Sequence, residues 1–179
     1  MLTAVRERLL NDREALRDFA LSDPLTGIAN RRLLLARADY EIARHQRAQR
    51  SFALVMLDLD GFKLLNDRFG HAAGDDLLRD VALALMRSMR AQDTVARIGG
   101  DEFCVLAPET DEMGTHRLAV RIARAVRDVT AGVETIRGSA GIAVFPGDGV
   151  TAASLQTADE KLLSAKRERQ HRRAPRRAA

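Results

Sequence analysis

Two glycines followed directly by two carboxylates, within residues 97–103, are the part of this chain best suited to chemistry. Short apolar runs flank them, at residues 94–96 and 103–106. This pattern predicts a β-hairpin with the acids at its tip. Glycine permits positive φ and carries no Cβ, so a phosphate group could approach the backbone there closely. The two acids could hold a metal ion against that phosphate, because Mg²⁺ accepts carboxylate and phosphate oxygens together.

A further acid, Asp58, follows a second apolar run. Residues 52–57 are apolar without interruption and precede the string Asp-Leu-Asp-Gly, which predicts a buried strand that ends in acids. If this strand neighbours the hairpin, Asp58 and Asp101 converge, and converging carboxylates repel each other unless a cation lies between them. The alternative is a pair of turn acids exposed to water. The adjacent glycines and acids of the hairpin favour the metal site.

The remaining apolar periodicities predict the elements that position these acids. Asn30 is the predicted N-cap of a helix that runs to about residue 49. A short helix with Phe62, Leu65 and Phe69 on one face is followed by another that starts near Asp75. Further elements are a helix over residues 112–129, a strand over 139–144 and a last helix from about 152. This order predicts an α/β (α+β) sandwich, with a mostly antiparallel central sheet covered by helices.

Composition indicates one domain in a reducing compartment. The chain has 179 residues, of which 46% are hydrophobic, enough for one core plus short appendages. The single cysteine, Cys104, excludes an internal disulfide framework and is expected in the core. No apolar run approaches the roughly 20 residues that span a bilayer, and no signal peptide is recognisable. We therefore expect a cytoplasmic location and no membrane segment.

Both ends of the chain differ from the middle. Near the start, a heptad pattern of apolar residues predicts a connector helix, which is either a short coiled coil or an amphipathic helix that rests on its own domain; its members are Leu2, Val5, Leu9, Leu16 and Phe19. The net charge of +4 comes from the segment beginning at Lys166, which has seven Lys/Arg and one Glu. Nucleic acid is not an expected partner of this basic tail, because no aromatic residues are interleaved with its arginines.

Several longer strings show that the chain resembles the GGDEF-domain family of diguanylate cyclases. In chain order they are Asp23-Pro24-Leu25-Thr26-Gly27 with Asn30-Arg31-Arg32, Asp58-Leu59-Asp60-Gly61-Phe62-Lys63 with Asn66-Asp67, Phe69-Gly70-His71 with Gly74-Asp75, and Arg97-Ile98-Gly99-Gly100-Asp101-Glu102-Phe103. The resemblance predicts a connector helix at 1–21, a GGDEF domain at 22–168 and a disordered basic tail at 169–179. It implies a fold similar to the core of class III nucleotidyl cyclases and the polymerase palm.

The resemblance implies that two GTP molecules are condensed into cyclic di-GMP, with release of two pyrophosphates. The metal, Mg²⁺ or Mn²⁺, would be held by Asp58, Asp101, Glu102 and the backbone carbonyl of Leu59. Glu102 would alternatively assist deprotonation of the attacking 3′-hydroxyl. GTP would be bound by Gly61, Phe62, Lys63, Asn66, Asp75, Gly99, Gly100 and Lys166.

Within that set, Asn66 and Asp75 would recognise guanine. A carboxylate can accept from the N1–H and N2–H₂ donors of guanine, and adenine has neither. The alternative for Asp75 is an N-cap in a first helical turn, which is compatible with the first role. Near the C-terminus the family pattern of Tyr, Ala-Lys and Gly-Arg-Asn is kept only at Ala165-Lys166, since Leu163 and Arg169-Gln170-His171 replace the rest.

An inhibitory site for the product is implied by the string Arg90-Ala91-Gln92-Asp93. The string lies at the spacing from Gly99 that the family uses, and Arg121, or alternatively Arg124, would complete the site. Arginine can donate to guanine O6 and N7, and aspartate can accept from the Watson–Crick edge. The other interpretation is an ordinary surface ion pair.

Two further expectations concern partners. One set of GTP-binding motifs per chain implies a catalytic homodimer, and the connector helix implies an upstream sensor domain that is missing from this chain. The alternative function is a catalytically silent module that binds GTP or cyclic di-GMP and signals through protein contacts.

Overall fold

The structure is a computed structural model that describes residues 20–48, 50–132 and 136–145. Nearly all of the predicted connector helix therefore lies outside the described residues. The predicted last helix, Lys166 and the basic tail lie outside them as well.

A five-stranded sheet forms the centre of the described domain, in the order β1-β3-β4-β2-β5. Strands β1 and β3 pair in parallel, and the other neighbours pair antiparallel. This confirms the predicted fold class. The elements in chain order are β1 (Ala29–Asn30), α1 (Arg31–Ala48), β2 (Phe52–Asp60), α2 (Phe62–Phe69), α3 (His71–Ser88), β3 (Thr94–Gly99), β4 (Glu102–Pro108), α4 (Glu112–Thr130) and β5 (Arg137–Phe145).

Residues 52–57 of strand β2 are all apolar because helices cover both faces of the sheet. Its residues alternate between two core clusters, as the two-residue period of a strand requires. Val55 and Leu57 pack in the cluster that contains residues of α2, α3 and α4, whereas Leu54 and Met56 pack in the cluster with α1. Asp58 follows Leu54 and Met56 at the same two-residue spacing, so its side chain lies on the face of the sheet that α1 covers.

Two sequence predictions about the helices were wrong. Phe69 does not share the buried face of α2, because it is the last residue of that helix and is 58% exposed, while Leu65 enters the core. Helix α3 begins at His71 rather than near Asp75, with Gly70 as its N-cap at φ 84°. Asp75 therefore lies inside the helix, and the N-cap alternative for it is excluded.

Other predictions are confirmed. Asn30 caps α1, since its side-chain oxygen accepts from the backbone amide of Leu33 at 3.0 Å. Cys104 is fully buried, and this burial raises the pKa of its thiol, as fits a core residue. Within the described ranges, the helices are too short or too polar to cross a membrane.

Candidate functional site

The glycine pair forms a tight turn between β3 and β4. Gly99 pairs with Glu102, and a register shift between Arg97 and Gly99 bends the end of β3. Gly100 has φ 52°, in the left-handed region that favours glycine. Building a Cβ on Gly99 or Gly100 meets no atom within 4 Å, so the backbone there is open to the approach of a ligand. The sequence predicted this hairpin.

The acids of the two segments lie side by side. In the register of β2 and β4, Asp58 is directly opposite Glu102, and directly opposite residues project from the same face of a sheet. The backbone amide of Leu59 donates to the carbonyl oxygen of Asp101 at 3.3 Å. Asp58 is 5% exposed, whereas Asp101 and Glu102 are half-buried. The structure thus places the three acids that the sequence singled out at the same end of two neighbouring strands.

Sequence reasoning missed Ser139 in this arrangement. Ser139 is fully buried and lies opposite Asp58 in the register of β2 and β5. Its hydroxyl donates to the carboxylate of Asp60. The sequence did contain an indication of this role. Ser139 is a small polar residue in the strand predicted over residues 139–144, and a buried polar side chain requires a hydrogen-bond partner. Ser139 helps to fix the end of β2 that carries the acids.

The side chains at this end of the sheet provide hard oxygen donors, which suit Mg²⁺ or Mn²⁺. Across the described residues, no three acidic, histidine or cysteine side chains are close enough to form a complete metal site. A cation bound by one or two of the carboxylates of Asp58, Asp101 and Glu102 would thus need further oxygen ligands, such as the Leu59 carbonyl, water or substrate phosphate. Mg²⁺ characteristically binds through one or two carboxylates plus phosphates and water, so the donor set fits it.

The candidate guanine-binding residues lie where α2 meets α3. A Cβ built on Gly74 would come within 2.0 Å of Oδ1 of Asn66, so Asn66 fits only because residue 74 is glycine. That oxygen is buried and has no hydrogen-bond partner among the described residues. The next residue, Asp75, is half-buried. Asn66 and Asp75 are therefore adjacent across the two helices. A ligand donor that reached the Asn66 oxygen would relieve an unpaired buried polar group.

The candidate phosphate-binding residues stand at the start of α2. Gly61 precedes the helix with φ 88°, and its carbonyl accepts from the amide of Leu65 at 3.1 Å. The amide of Phe62 then lies in the first helical turn, where backbone N–H groups lack partners within the helix. Lys63 is exposed. This segment follows directly after the acids of β2.

Arg90, Asp93 and Arg121 also lie close together. The side chain of Asp93 is 1% exposed, and its Oδ2 accepts from the backbone amide of Arg90 at 3.0 Å. Nη2 of Arg121 is 3.8 Å from the same oxygen. Oδ1 of Asp93 and Nε of Arg121 are buried without a hydrogen-bond partner among the described residues. This contact favours Arg121 over Arg124 as the third member of the cluster.

A cavity of about 440 Å³ adjoins Arg90 at the opposite end of the sheet from the acids. Its lining includes Arg50, Glu109, Asp111 and Arg117. Arg50 lies just before β2 and Glu109 directly follows β4, whereas the acids stand at the other ends of the same strands. The cluster around Arg90 is therefore separate from the acidic site.

Most of the chain matches one known protein family. Residues 20–172 match the family model described as "Diguanylate cyclase, GGDEF domain". The chain belongs to the GGDEF-domain family.

Individual relatives support the membership of the GGDEF family. The chain is 40% identical over 155 residues to the diguanylate cyclase DgcP of Pseudomonas aeruginosa, covering 84% of this chain and 23% of that protein. It is 37% identical over 157 residues to the cyclic di-GMP phosphodiesterase PdeR of Escherichia coli, covering 86% of this chain and 23% of the relative. The chain thus spans about a quarter of the length of these curated relatives.

A solved GGDEF structure has the same fold. The coiled coil and GGDEF domain of DgcB from Caulobacter crescentus, solved in complex with c-di-GMP, superposes with a TM-score of 0.83 at 28% identity. The alignment covers 93% of this chain and 91% of the DgcB chain. The predicted cyclase-like sandwich is therefore confirmed as the fold of a GGDEF domain.

Proposed function

We propose that this GGDEF domain is a diguanylate cyclase, which condenses two GTP molecules into cyclic di-GMP and releases two pyrophosphates. The observation that carries the proposal is the strand register that sets Asp58 opposite Glu102 and joins Leu59 to Asp101. Family membership supports the same reaction, and DgcP is a relative with that name.

Each bond-forming step joins the 3′-oxygen of one GTP to the α-phosphorus of the other. The bond from that phosphorus to the pyrophosphate oxygen breaks, and the hydroxyl proton must leave. Glu102, half-buried at the start of β4, is the proposed acceptor of this proton. The open backbone at Gly99 and Gly100 admits the nucleotide, while Lys63 and the amides of Gly61 and Phe62 bind the terminal phosphates. Positioning and electrostatics supply most of the catalysis in phosphoryl transfer.

Asp58, Asp101 and the Leu59 carbonyl are the proposed ligands of Mg²⁺ or Mn²⁺, and Glu102 would be a further ligand as the alternative to accepting the proton. When bound, the metal would neutralise phosphate charge as it develops in the transition state. A divalent cation bound there would balance the negative charge that the carboxylates bring to this end of the sheet.

A homodimer is the proposed catalytic unit. The chain has one set of GTP-binding motifs, yet two GTP molecules are joined through two bonds, so two domains must face each other. Specific activity should therefore fall as the enzyme is diluted below its dimer dissociation constant. A specific activity that stays constant far below that concentration, measured beside sedimentation of the same samples, would argue against the dimer.

A catalytically silent module is the second candidate. The observation behind this candidate is the match to PdeR, because that relative is named as a phosphodiesterase and not as a cyclase. Such a module would bind GTP or cyclic di-GMP and signal through protein contacts. The complete Gly-Gly-Asp-Glu string, together with Asp58 and Lys63, favours the active enzyme instead.

The test of the proposed function is incubation of the protein with GTP and Mg²⁺ or Mn²⁺, followed by chromatography of the nucleotides. We expect cyclic di-GMP and pyrophosphate in a ratio of one to two, and no product in the presence of a chelator. A protein that binds GTP or cyclic di-GMP but makes no product with either metal would be the silent module.

Guanine selection should depend on Asp75. The Asp75→Asn variant should lose part of its preference for GTP over ATP, because the amide replaces one acceptor with a donor that faces the donors of guanine. A cost of roughly 1–3 kcal/mol corresponds to a loss of about fivefold to 150-fold in the ratio of kcat/KM values. The matched control is Asp76→Asn, at an exposed carboxylate that pairs with Arg79. An unchanged ratio in Asp75→Asn would remove Asp75 from guanine recognition.

A further inference from the structure

The guanidinium of Arg97 connects the glycine turn to the loop at residues 22–28. Its Nε and Nη2 both donate to the carbonyl oxygen of Gly100, at 2.9 and 2.7 Å. Its Nη1 donates to both carboxylate oxygens of Asp23, at 3.1 and 3.2 Å. The side chain of Arg97 is 14% exposed and that of Asp23 is 16% exposed. The contact is therefore better shielded from solvent than an ordinary surface ion pair.

Asp23 is itself held rigidly by its own loop. Its Oδ1 accepts from the backbone amide and the hydroxyl of Thr26, at 2.9 and 2.7 Å. Its amide donates to the carbonyl of Ile28 at 2.8 Å. Burial by itself raises the pKa of Asp23, but hydrogen bonds from Thr26 and Arg97, with the Arg97 charge, bring the pKa below its usual value. Asp23 is thus an ionised, fixed anchor at neutral pH.

Arg97 acts at a peptide group that sets the direction of Asp101. The carbonyl of Gly100, before the Cα of Asp101, is held by Arg97. The carbonyl after that Cα is held by the amide of Leu59 on β2. Because the backbone on both sides of Cα determines where Cβ points, these two contacts together fix the direction of the Asp101 Cα–Cβ bond. The Leu59 contact is long at 3.3 Å, so the Arg97 contacts carry more of this restraint.

We propose that Arg97 is a positioning residue for the carboxylate of Asp101, and that Asp23 acts as its anchor. This proposal rests on the proposed cyclase function, because it assigns a catalytic consequence to the turn. The planar fork of arginine can reach the Gly100 carbonyl and the Asp23 carboxylate at once. Lysine offers a single ammonium group and cannot reproduce this double contact.

The kinetic test uses Arg97→Lys and Asp23→Asn. We expect kcat of Arg97→Lys to fall about 10- to 100-fold, since small displacements of a catalytic group have effects of this order. The KM for GTP should change by less than about threefold, because the interaction concerns the reacting step rather than ground-state binding. Asp23→Asn should show the same pattern with a smaller fall. The control is Arg79→Ala, which removes an exposed arginine on α3.

A second measurement does not depend on turnover. Hydrogen exchange at residues 99–102 should be at least about tenfold faster in Arg97→Lys than in the parent, with β2 and the helices equally protected in both. Melting curves from circular dichroism identify any variant that fails to fold. If Arg97→Lys does not fold, Asp23→Asn is used for the kinetic and exchange measurements in its place. The Arg97→Ala, Asp23→Ala double variant should be no slower than Arg97→Ala alone, because Asp23 acts through Arg97.

Three results would overturn the positioning role. They are parent-like kcat in Arg97→Lys and Asp23→Asn, a raised KM with unchanged kcat, and unchanged exchange in the turn. If the parent protein itself makes no cyclic di-GMP, the proposed function fails, and the exchange comparison still decides whether Arg97 holds the turn.

Discussion

Asp101→Ala is expected to abolish the formation of cyclic di-GMP, with kcat lower by at least about a thousandfold. The reason is geometric, because Asp101 occupies the glycine turn beside Leu59, at the end of the strand pair that carries Asp58 and Glu102. Removing its carboxylate leaves the proposed cation with fewer hard ligands next to the α-phosphate. The measurement is the initial rate of product formation at saturating GTP, over a series of Mg²⁺ and Mn²⁺ concentrations.

The fold should tolerate this substitution, because Asp101 is half-buried and lies in a turn. The melting temperature of Asp101→Ala should stay within a few degrees of the parent's, as for substitutions remote from the core, which change stability by about 0.5 kcal/mol. Asp128→Ala, at an exposed acid on α4, is the matched control for loss of one carboxylate. Undiminished turnover in folded Asp101→Ala would contradict the proposed metal site.

Arg90→Ala is expected to abolish product inhibition while keeping the initial rate. Arg90 is exposed next to the buried carboxylate of Asp93, with Arg121 on the other side. The buried Asp93 Oδ1 and Arg121 Nε have no hydrogen-bond partner among the described residues, and a guanine whose polar groups reached them would satisfy both. Loss of one bidentate arginine contact, worth about 1–3 kcal/mol, should weaken cyclic di-GMP binding by about fivefold to 150-fold.

Progress curves and titration calorimetry test this second expectation. The parent should slow as product accumulates and bind added cyclic di-GMP, whereas Arg90→Ala should do neither in the same concentration range. Arg87→Ala removes an exposed arginine from the last turn of α3 and should behave like the parent. If the parent and Arg90→Ala bind the product equally, or if neither binds it, the product site is contradicted. The segment Arg90–Asp93 is then an ordinary surface ion pair.

Product inhibition through Arg90 would require coupling over distance, because Arg90 borders the cavity at the far end of the sheet from the acids. Bound product would favour an arrangement of two domains in which their GTP sites do not meet. A ligand shifts such an equilibrium only as far as its affinities for the two arrangements differ. A variant that lacks the product contact should therefore be uninhibited but otherwise fully active.

The sequence alone predicted the features that depend on local chemistry. The hairpin followed from two glycines between apolar runs, and β2 followed from an uninterrupted apolar segment that ends in acids. The helix cap at Asn30 and the core position of Cys104 were local inferences of the same kind. Each depends on turn conformation, hydrophobic period or capping, which a few neighbouring residues decide.

The tertiary structure decided what depends on register and on contacts between distant segments. That Asp58 faces Glu102 depends on the alignment of β2 with β4, since a slip of one residue would move the carboxylate to the other face. The contact of Arg97 with Asp23 joins residues 74 positions apart, and the fit of Asn66 against Gly74 depends on how α2 packs on α3. The exposure of Phe69 and the start of α3 at His71 also followed from packing. Sequence periodicity describes one segment at a time, whereas these contacts arise only when the sheet aligns separate segments.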